Sequence, residues 1–283
     1  MNKILIPTDL SEVSKKALDM ASQIAKKTSG SVHIVNFYEH PYGKTFSATG
    51  EMELKASEEE NLFTVQLLKK NYQALSDLAK KYSSEGIDVT FGIEDEDFEK
   101  GVLKYIKSNA IDLVVMGTSG EENAEEFFTG NHAQQIVESA PCPVISVREE
   151  DAIGNLSKIV LGVDFQKDRQ DNYLKAVGYI NDLASSLDST VHVVHVGQDT
   201  NGDAARLEKF AKNYGLLNYE LATVKNKDEI AGLLEYGHKI NAAAVAVLTH
   251  ADGGLFRMFQ TSTSEEMTKD SNIPVLTINL HKV

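Results

Sequence analysis

Three glycines stand where backbone amides could grip an anion. Gly117-Thr118-Ser119-Gly120 closes one apolar run, and nine residues later Gly130-Asn131 opens a helical pattern through His132, Ala133, Ile136 and Val137. Glycine lets main-chain N–H groups approach a ligand closely, and a helix N-terminus adds partial positive charge, so this pairing suits phosphate. It is neither a Walker loop, which needs Gly-Lys-Ser/Thr, nor a dinucleotide fingerprint following the first strand. Taken alone, two glycine-bearing turns read first as ordinary turns and caps. A second polar cluster, Pro7-Thr8-Asp9, ends the first apolar run just before Ser11, the expected cap of a helix. Asp9 either helps to cap that helix or faces a ligand, and Asp164, its repeat, is open to both readings.

Other chemistries find less support. His192-x-x-His195 and His250 are the histidines that could converge in the second half, but positions 192 and 195 of a strand face opposite ways, against a zinc site. No Gly-x-Ser-x-Gly elbow accompanies a histidine and an acid in a workable order. Cys142, between Pro141 and Pro143, reads as a small buried thiol.

Stepping from these residues to the elements that must carry them, the chain proves to repeat itself. Lys3-Ile4-Leu5-Ile6-Pro7-Thr8-Asp9 returns as Lys158-Ile159-Val160-Leu161-Gly162-Val163-Asp164, and Ser31-Val32-His33-Ile34-Val35 as Thr190-Val191-His192-Val193-Val194. Pro141 to Val147 returns as Asn272 to Ile278, in the same order. A polar, Gly-containing stretch from Glu149 to Asn155 separates two units, 1–150 and 151–283. Expected strands are 3–8, 31–37, 87–93, 111–116 and 144–147 in the first unit, and 158–163, 190–196, 217–224, 243–248 and 275–278 in the second. They are near-continuous apolar runs, as buried parallel strands require. Between them lie helical spacings such as Val13, Ala17, Leu18, Ala21, Ile24 and Ala25, and Leu67, Leu68, Leu75 and Leu78. Strand and helix in alternation predict an α/β chain with a doubly wound parallel sheet in each unit. The segment from His40 to Glu60, rich in Gly, Ser, Thr and Glu, is a candidate lid.

Composition narrows the partners. The 283 residues hold 28 Lys and Arg against 42 Asp and Glu, a net charge of −14, of which residues 1–150 carry −10 (15 basic, 25 acidic). Nucleic acid would be repelled. One cysteine permits neither an internal disulfide nor a thiolate-rich zinc site, which fits a reducing cytoplasm. The apolar stretch at the N-terminus is shorter than the roughly 7–15 residues of a signal-peptide core, so neither export nor a membrane partner is expected.

The glycine pattern resembles that of the universal stress protein family, whose nucleotide-binding members carry Gly-x2-Gly-x9-Gly-(Ser/Thr). Gly117, Gly120 and Gly130 match at that spacing, while Asn131 replaces the hydroxyl residue. The Pro-Thr-Asp end of the first strand and the Ala140-Pro141-Cys142-Pro143-Val144 run are similar too. The resemblance implies two tandem α/β domains of the adenine-nucleotide alpha-hydrolase-like type, each with a five-stranded parallel sheet, packed as an internal pseudo-dimer through their last strands. It implies a stress-related or regulatory role, with no established catalysis. It implies adenine and ribose near Pro7, Thr8, Asp9 and Phe37, and phosphates over Gly117, Gly120, Gly130, Asn131 and His132, with Met116 beneath.

Two features set this chain apart. Glu121-Glu122-Asn123-Ala124-Glu125-Glu126 stands between the second and third glycines, where many family members place a basic residue. Each like-charge pair at about 8 Å costs roughly 0.5 kcal/mol in bulk water and roughly 2 kcal/mol at an effective dielectric of 20, which Mg²⁺ and outward-turned glutamates would largely offset. In the second unit, Leu248, Ala251 and Thr261-Ser262 replace the three glycines, leaving a loop with Asp252, Gly253, Gly254 and Arg257 that could hold at most a smaller anion. The expectation is a cytoplasmic, non-enzymatic tandem protein binding ATP, ADP or AMP, with Mg²⁺ carried by the nucleotide, in its N-terminal unit. A protein-interaction module without nucleotide is the alternative, and a slow ATPase the third reading. An unidentified protein partner and further pairing as a homodimer are left open.

Overall fold

A computed structural model of the chain describes residues 1–38, 58–118, 130–164, 173–198, 202–249 and 272–283, with two short strands at 45–46 and 52–53. The first unit runs β1 (Lys3–Pro7), α1 (Glu12–Thr28), β2 (Ser31–Tyr38), β3 (Thr45–Phe46), β4 (Met52–Glu53), α2 (Glu58–Ser84), β5 (Asp88–Asp95), α3 (Phe98–Asn109), β6 (Leu113–Gly117), α4 (Gly130–Ser139) and β7 (Val144–Val147). The second runs β8 (Asn155–Gly162), α5 (Tyr173–Leu187), β9 (Thr190–Gly197), α6 (Asp203–Tyr214), β10 (Tyr219–Lys225), α7 (Glu229–Lys239), β11 (Ala242–Thr249) and β12 (Val275–Asn279). Apart from the β3–β4 ribbon, the candidate lid lies largely outside the described residues.

Ten strands form one continuous sheet in the order β10-β9-β8-β11-β12-β7-β6-β1-β2-β5. Every neighbouring pair is parallel except β12 with β7. The two expected five-stranded parallel sheets are therefore present, fused edge to edge. At the seam Leu276 pairs with Ile145, and these two are repeat equivalents, so a local twofold axis passes between them. The repeat also holds in register: Ile4 pairs with Val32 and Leu113, as Ile159 pairs with Val191 and Ala244.

Local chemistry explains the elements. α1 begins at Ser11, whose Oγ accepts from Ser14 N (3.3 Å), carries Glu12 in its first turn and Lys26 and Lys27 in its last, and ends on left-handed Ser29 (φ 53°). That charge order complements the helix dipole. Its buried face of Val13, Ala17, Leu18, Ala21, Ile24 and Ala25 packs on the sheet and on α5, in one apolar layer shared by both units. On the opposite face the layers are separate, α3 and α4 covering the first unit and α7 the second. α3 is not evident from the spacing read above. Asp97 caps it through Lys100 N (3.1 Å), and Phe98, Val102 and Ile106 form its buried stripe.

One polar arrangement occurs twice. His33 on β2 pairs with the Tyr105 hydroxyl of α3 (3.1 Å), and His192 on β9 with the Tyr236 hydroxyl of α7 (3.2 Å). Beside each pair, Lys3 Nζ donates to Asn109 O (3.0 Å) and Lys158 Nζ to Ile240 O (3.2 Å), each lysine satisfying a carbonyl at a helix C-terminus.

Candidate functional site

In an open parallel sheet, ligands bind beyond the carboxyl ends of the strands where strand order reverses. In the first unit that point lies between β1 and β6, so Asp9 and Gly117 flank it. The turn leaving β1 is tightly specified. Thr8 N donates to Val35 O (2.9 Å), and Thr8 Oγ1 accepts from Leu10 N (3.0 Å). Asp9 Oδ1 accepts from Ser11 N (3.0 Å) and from the Ser14 hydroxyl (2.5 Å). Between them Leu10 holds φ +69°, a left-handed conformation costing a leucine about 1–2 kcal/mol. These bonds hold that strain at the mouth of the site. Asp9 thus serves the α1 cap through Oδ1, while its Oδ2 has no protein partner among the described residues.

Gly117 has a reason in packing. A Cβ there would lie 2.8 Å from the Val13 carbonyl carbon and 2.9 Å from Ser14 N, so the first turn of α1 rests directly on the end of β6. Thr118 follows it, buried, its N–H donating to Val147 O (2.9 Å). Gly120 and the acidic run after it lie outside the described residues. Gly130 and Asn131 are the first two residues of α4.

The remaining candidates gather under α3 and α4. Phe37 is buried and meets Phe98 (6.0 Å, 88°) and Tyr105 (6.3 Å, 90°) edge to face, with Gly101 pressed against its ring. The His132 ring meets Phe98 in the same manner (5.3 Å, 75°), and Met116 is wholly enclosed in this cluster. Pro7, at the end of β1, is also buried. Side chains of Phe37 and Met116 are therefore core, near the carboxyl ends of β2 and β6. Phe98, which joins Phe37 to His132, went unnoticed in the sequence; the signal was the Asp97 cap followed by apolar residues four apart.

One cation beyond the seam strand is committed to nearby carboxylates. Arg148, just beyond β7, binds Asp151 through Nε (3.1 Å) and a terminal nitrogen (2.9 Å). Burial holds the Asp151 carboxyl above the usual carboxylate range, against the pull of Arg148. Lys16 Nζ donates to Glu149 O.

The second unit offers different groups at matching positions. Leu248 stands at the place of Gly117, and Thr249 at that of Thr118. In the first unit Asn36 Nδ2 donates to Thr8 O (2.7 Å); at the equivalent place His195 Nδ1 donates to Val163 O (2.8 Å). His195 Nε2 also lies 3.5 Å from buried Asp203, which pairs with Arg206 (3.1 Å). His192 and His195 do face opposite ways, toward α7 and α6. Among the described residues no cluster of metal-ligating side chains exists. His250, Ala251, Asp252, Gly253, Gly254, Arg257, Thr261 and Ser262 lie outside the described residues. Cys142 is buried, and burial first, then Asp112, pushes its thiol up to about 12.

Comparison with known proteins agrees with this geometry. The model of the universal stress protein family matches residues 1–148, over half of the chain. The chain belongs to the universal stress protein family. That membership places it among stress-response proteins. Among relatives, a universal stress protein of Methanocaldococcus jannaschii is 28% identical over 148 residues, 52% of this chain and 82% of its own. One from Bacillus subtilis is 24% identical over 147 residues, 52% of this chain and 99% of its own. Among solved structures, a universal stress protein from Archaeoglobus fulgidus superposes with a TM-score of 0.67 at 19% identity, covering 99% of this chain and 96% of that one. The cytoplasmic domain of a prokaryotic cation chloride cotransporter shares the fold over 100% of this chain and 96% of its own, with a TM-score of 0.56 at 13% identity. Both structural likenesses span the whole tandem arrangement. Among the described residues of this universal stress protein, no helix is long and apolar enough to cross a membrane.

Proposed function

We propose that this universal stress protein binds ATP, or another adenine nucleotide with its Mg²⁺, in residues 1–150, and that residues 151–283 keep the fold without that site. The observation that carries the reading is the asymmetry of the repeat: Gly117 and Leu248 occupy one position, so that the glycine pattern Gly117, Gly120 and Gly130 stands in residues 1–150 alone, beside Asp9 at the point where strand order reverses. The free Oδ2 of Asp9 supplies an acceptor for a ribose hydroxyl or an adenine amine. Pro7, Thr8, Phe37 and Met116 border that side of the nucleotide. Gly117, Gly120, Gly130, Asn131 and His132 hold its phosphates, aided by the N-terminus of α4. With Mg²⁺ on the nucleotide, the acidic segment after Gly120 is tolerated.

Binding serves sensing rather than turnover, and the protein acts in the cytoplasm. Titration calorimetry with ATP and Mg²⁺ should give one nucleotide per chain, lost in Gly130→Asp. Two equal sites, or no binding at millimolar ATP, would overturn the reading.

A further inference from the structure

The peptide that leads from β1 into Asp9 is held by a side chain. Asn36, near the end of β2 and only 7% exposed, reaches across to β1, where its Nδ2 donates to Thr8 O (2.7 Å). Thr8 is itself buried, and its N–H is fixed on the other side by Val35 O (2.9 Å). A carbonyl can only accept, so Asn36 must turn its amide nitrogen toward Thr8 and its oxygen away. That oxygen accepts from Asn71 Nδ2 of α2 (3.4 Å). Three residues in series, on α2, β2 and β1, thus connect the helix to the edge of the crevice.

The second unit builds the same series from other groups. His195, at the place of Asn36, donates from Nδ1 to Val163 O (2.8 Å), and its Nε2 faces buried Asp203 of α6 (3.5 Å). In each unit the strand residue suits what its helix presents. Against an amide donor on α2, asparagine offers one donor and one acceptor; against a carboxylate on α6, histidine can offer an N–H on either side.

We infer that Asn36 is a positioning residue of the nucleotide site, and that through Asn71 it couples the seating of α2 to the direction of Asp9. This rests on the nucleotide reading above and adds regulation to it. Whatever draws Asn71 away, or turns the Asn36 amide round, weakens nucleotide binding, and by linkage bound nucleotide steadies α2.

The substitution Asn71→Asp keeps the side-chain shape but sets a carboxylate against Asn36 Oδ1. One amide end must then serve two acceptors, and the charged one is the stronger. Titration calorimetry with ATP and Mg²⁺ should show affinity about tenfold weaker in Asn71→Asp, and likewise in Asn36→Leu, which removes the donor to buried Thr8 O. Asn36→His combined with Asn71→Asp copies the second unit and should bring affinity back to within about threefold of wild type. Two controls separate this role from lost stability or altered charge. Leu183→Ala, a buried change in α5, should lower the urea midpoint without moving affinity, and Lys70→Gln, which shifts the charge of α2 by the same unit, should leave affinity unchanged. A wild type that takes up no nucleotide would overturn the reading of the site and this inference with it. Nucleotide bound as well by Asn36→Leu or Asn71→Asp as by wild type would overturn this inference alone. So would a double variant as weak as Asn71→Asp, or an equal loss in either control.

Discussion

The substitution Gly117→Ala separates two reasons for a glycine at the end of β6. If it served only a bound phosphate, the nucleotide-free protein would tolerate a methyl there, and alanine would even add about 0.4–1 kcal/mol by restricting the unfolded chain. The structure requires the opposite. The methyl would sit 2.8 Å from the Val13 carbonyl carbon and 2.9 Å from both Ser14 N and Val13 O. Comfortable contact begins near about 3.5 Å, so three backbone atoms are each about 0.6–0.7 Å too close. Neither side yields easily. β6 is paired on both edges, by β1 and β7, and α1 is anchored by Val13, Ala17 and Leu18. Relief requires lifting the first turn of α1, which strains the bonds from Ser11 N and the Ser14 hydroxyl to Asp9. Overpacking of this kind costs about 1–3 kcal/mol, and a weakened cap adds about 1 kcal/mol. Urea unfolding of nucleotide-free protein, followed by circular dichroism, should show a lower midpoint at unchanged slope. A midpoint equal to wild type, or higher, refutes the packing argument.

Burial holds His33 and His192 below the ordinary imidazole value of 6.5, the nearby Lys3 and Lys158 adding to it while Asp88 and Glu220 oppose it. The folded state then binds fewer protons than the unfolded one. Stability is fully present above pH 6.5 and falls as pH drops below it, until the folded imidazoles also protonate. Replacing both with glutamine should flatten the urea midpoint between pH 7.5 and 5.5, and an unchanged slope would count against the assignment. Leu276→Ala, at the seam and about 1% exposed, should cost about 2–5 kcal/mol in urea unfolding; a loss below 1 kcal/mol would mean that the seam is loosely packed. Cys142, its thiol pushed up to about 12, should resist alkylation in the native state and react readily in urea, whereas rapid native labelling would contradict its burial.

The architecture was legible because strands buried on both faces must be apolar runs. Those runs, and the matches of Lys3 with Lys158 and Val144 with Val275, occur in the structure at the same register. Ser11 was legible as a cap because its partners are local. α3 was not, since Lys100, Lys104 and Lys107 dilute a stripe of only Phe98, Val102 and Ile106. The contacts that give site residues their surroundings were invisible for another reason: Phe37 with Phe98, or His33 with Tyr105, join positions more than sixty residues apart. Asp9 shows both sides of the matter. Its spacing pointed to a cap or a ligand, and only the geometry shows one carboxylate oxygen engaged and the other open.

Covalent joining of the two halves about their local twofold has a consequence for inheritance. In a dimer of identical chains every substitution appears twice, so a change that spoils one pocket spoils both, and one that strains the shared seam strains it on either side. Here Ile145 and Leu276, or Gly117 and Leu248, are written separately and can drift separately. One half keeps Gly117 where the first turn of α1 rests on β6, while its twin carries Leu248 there and gathers His195, Asp203 and Arg206 at the same end of its own sheet.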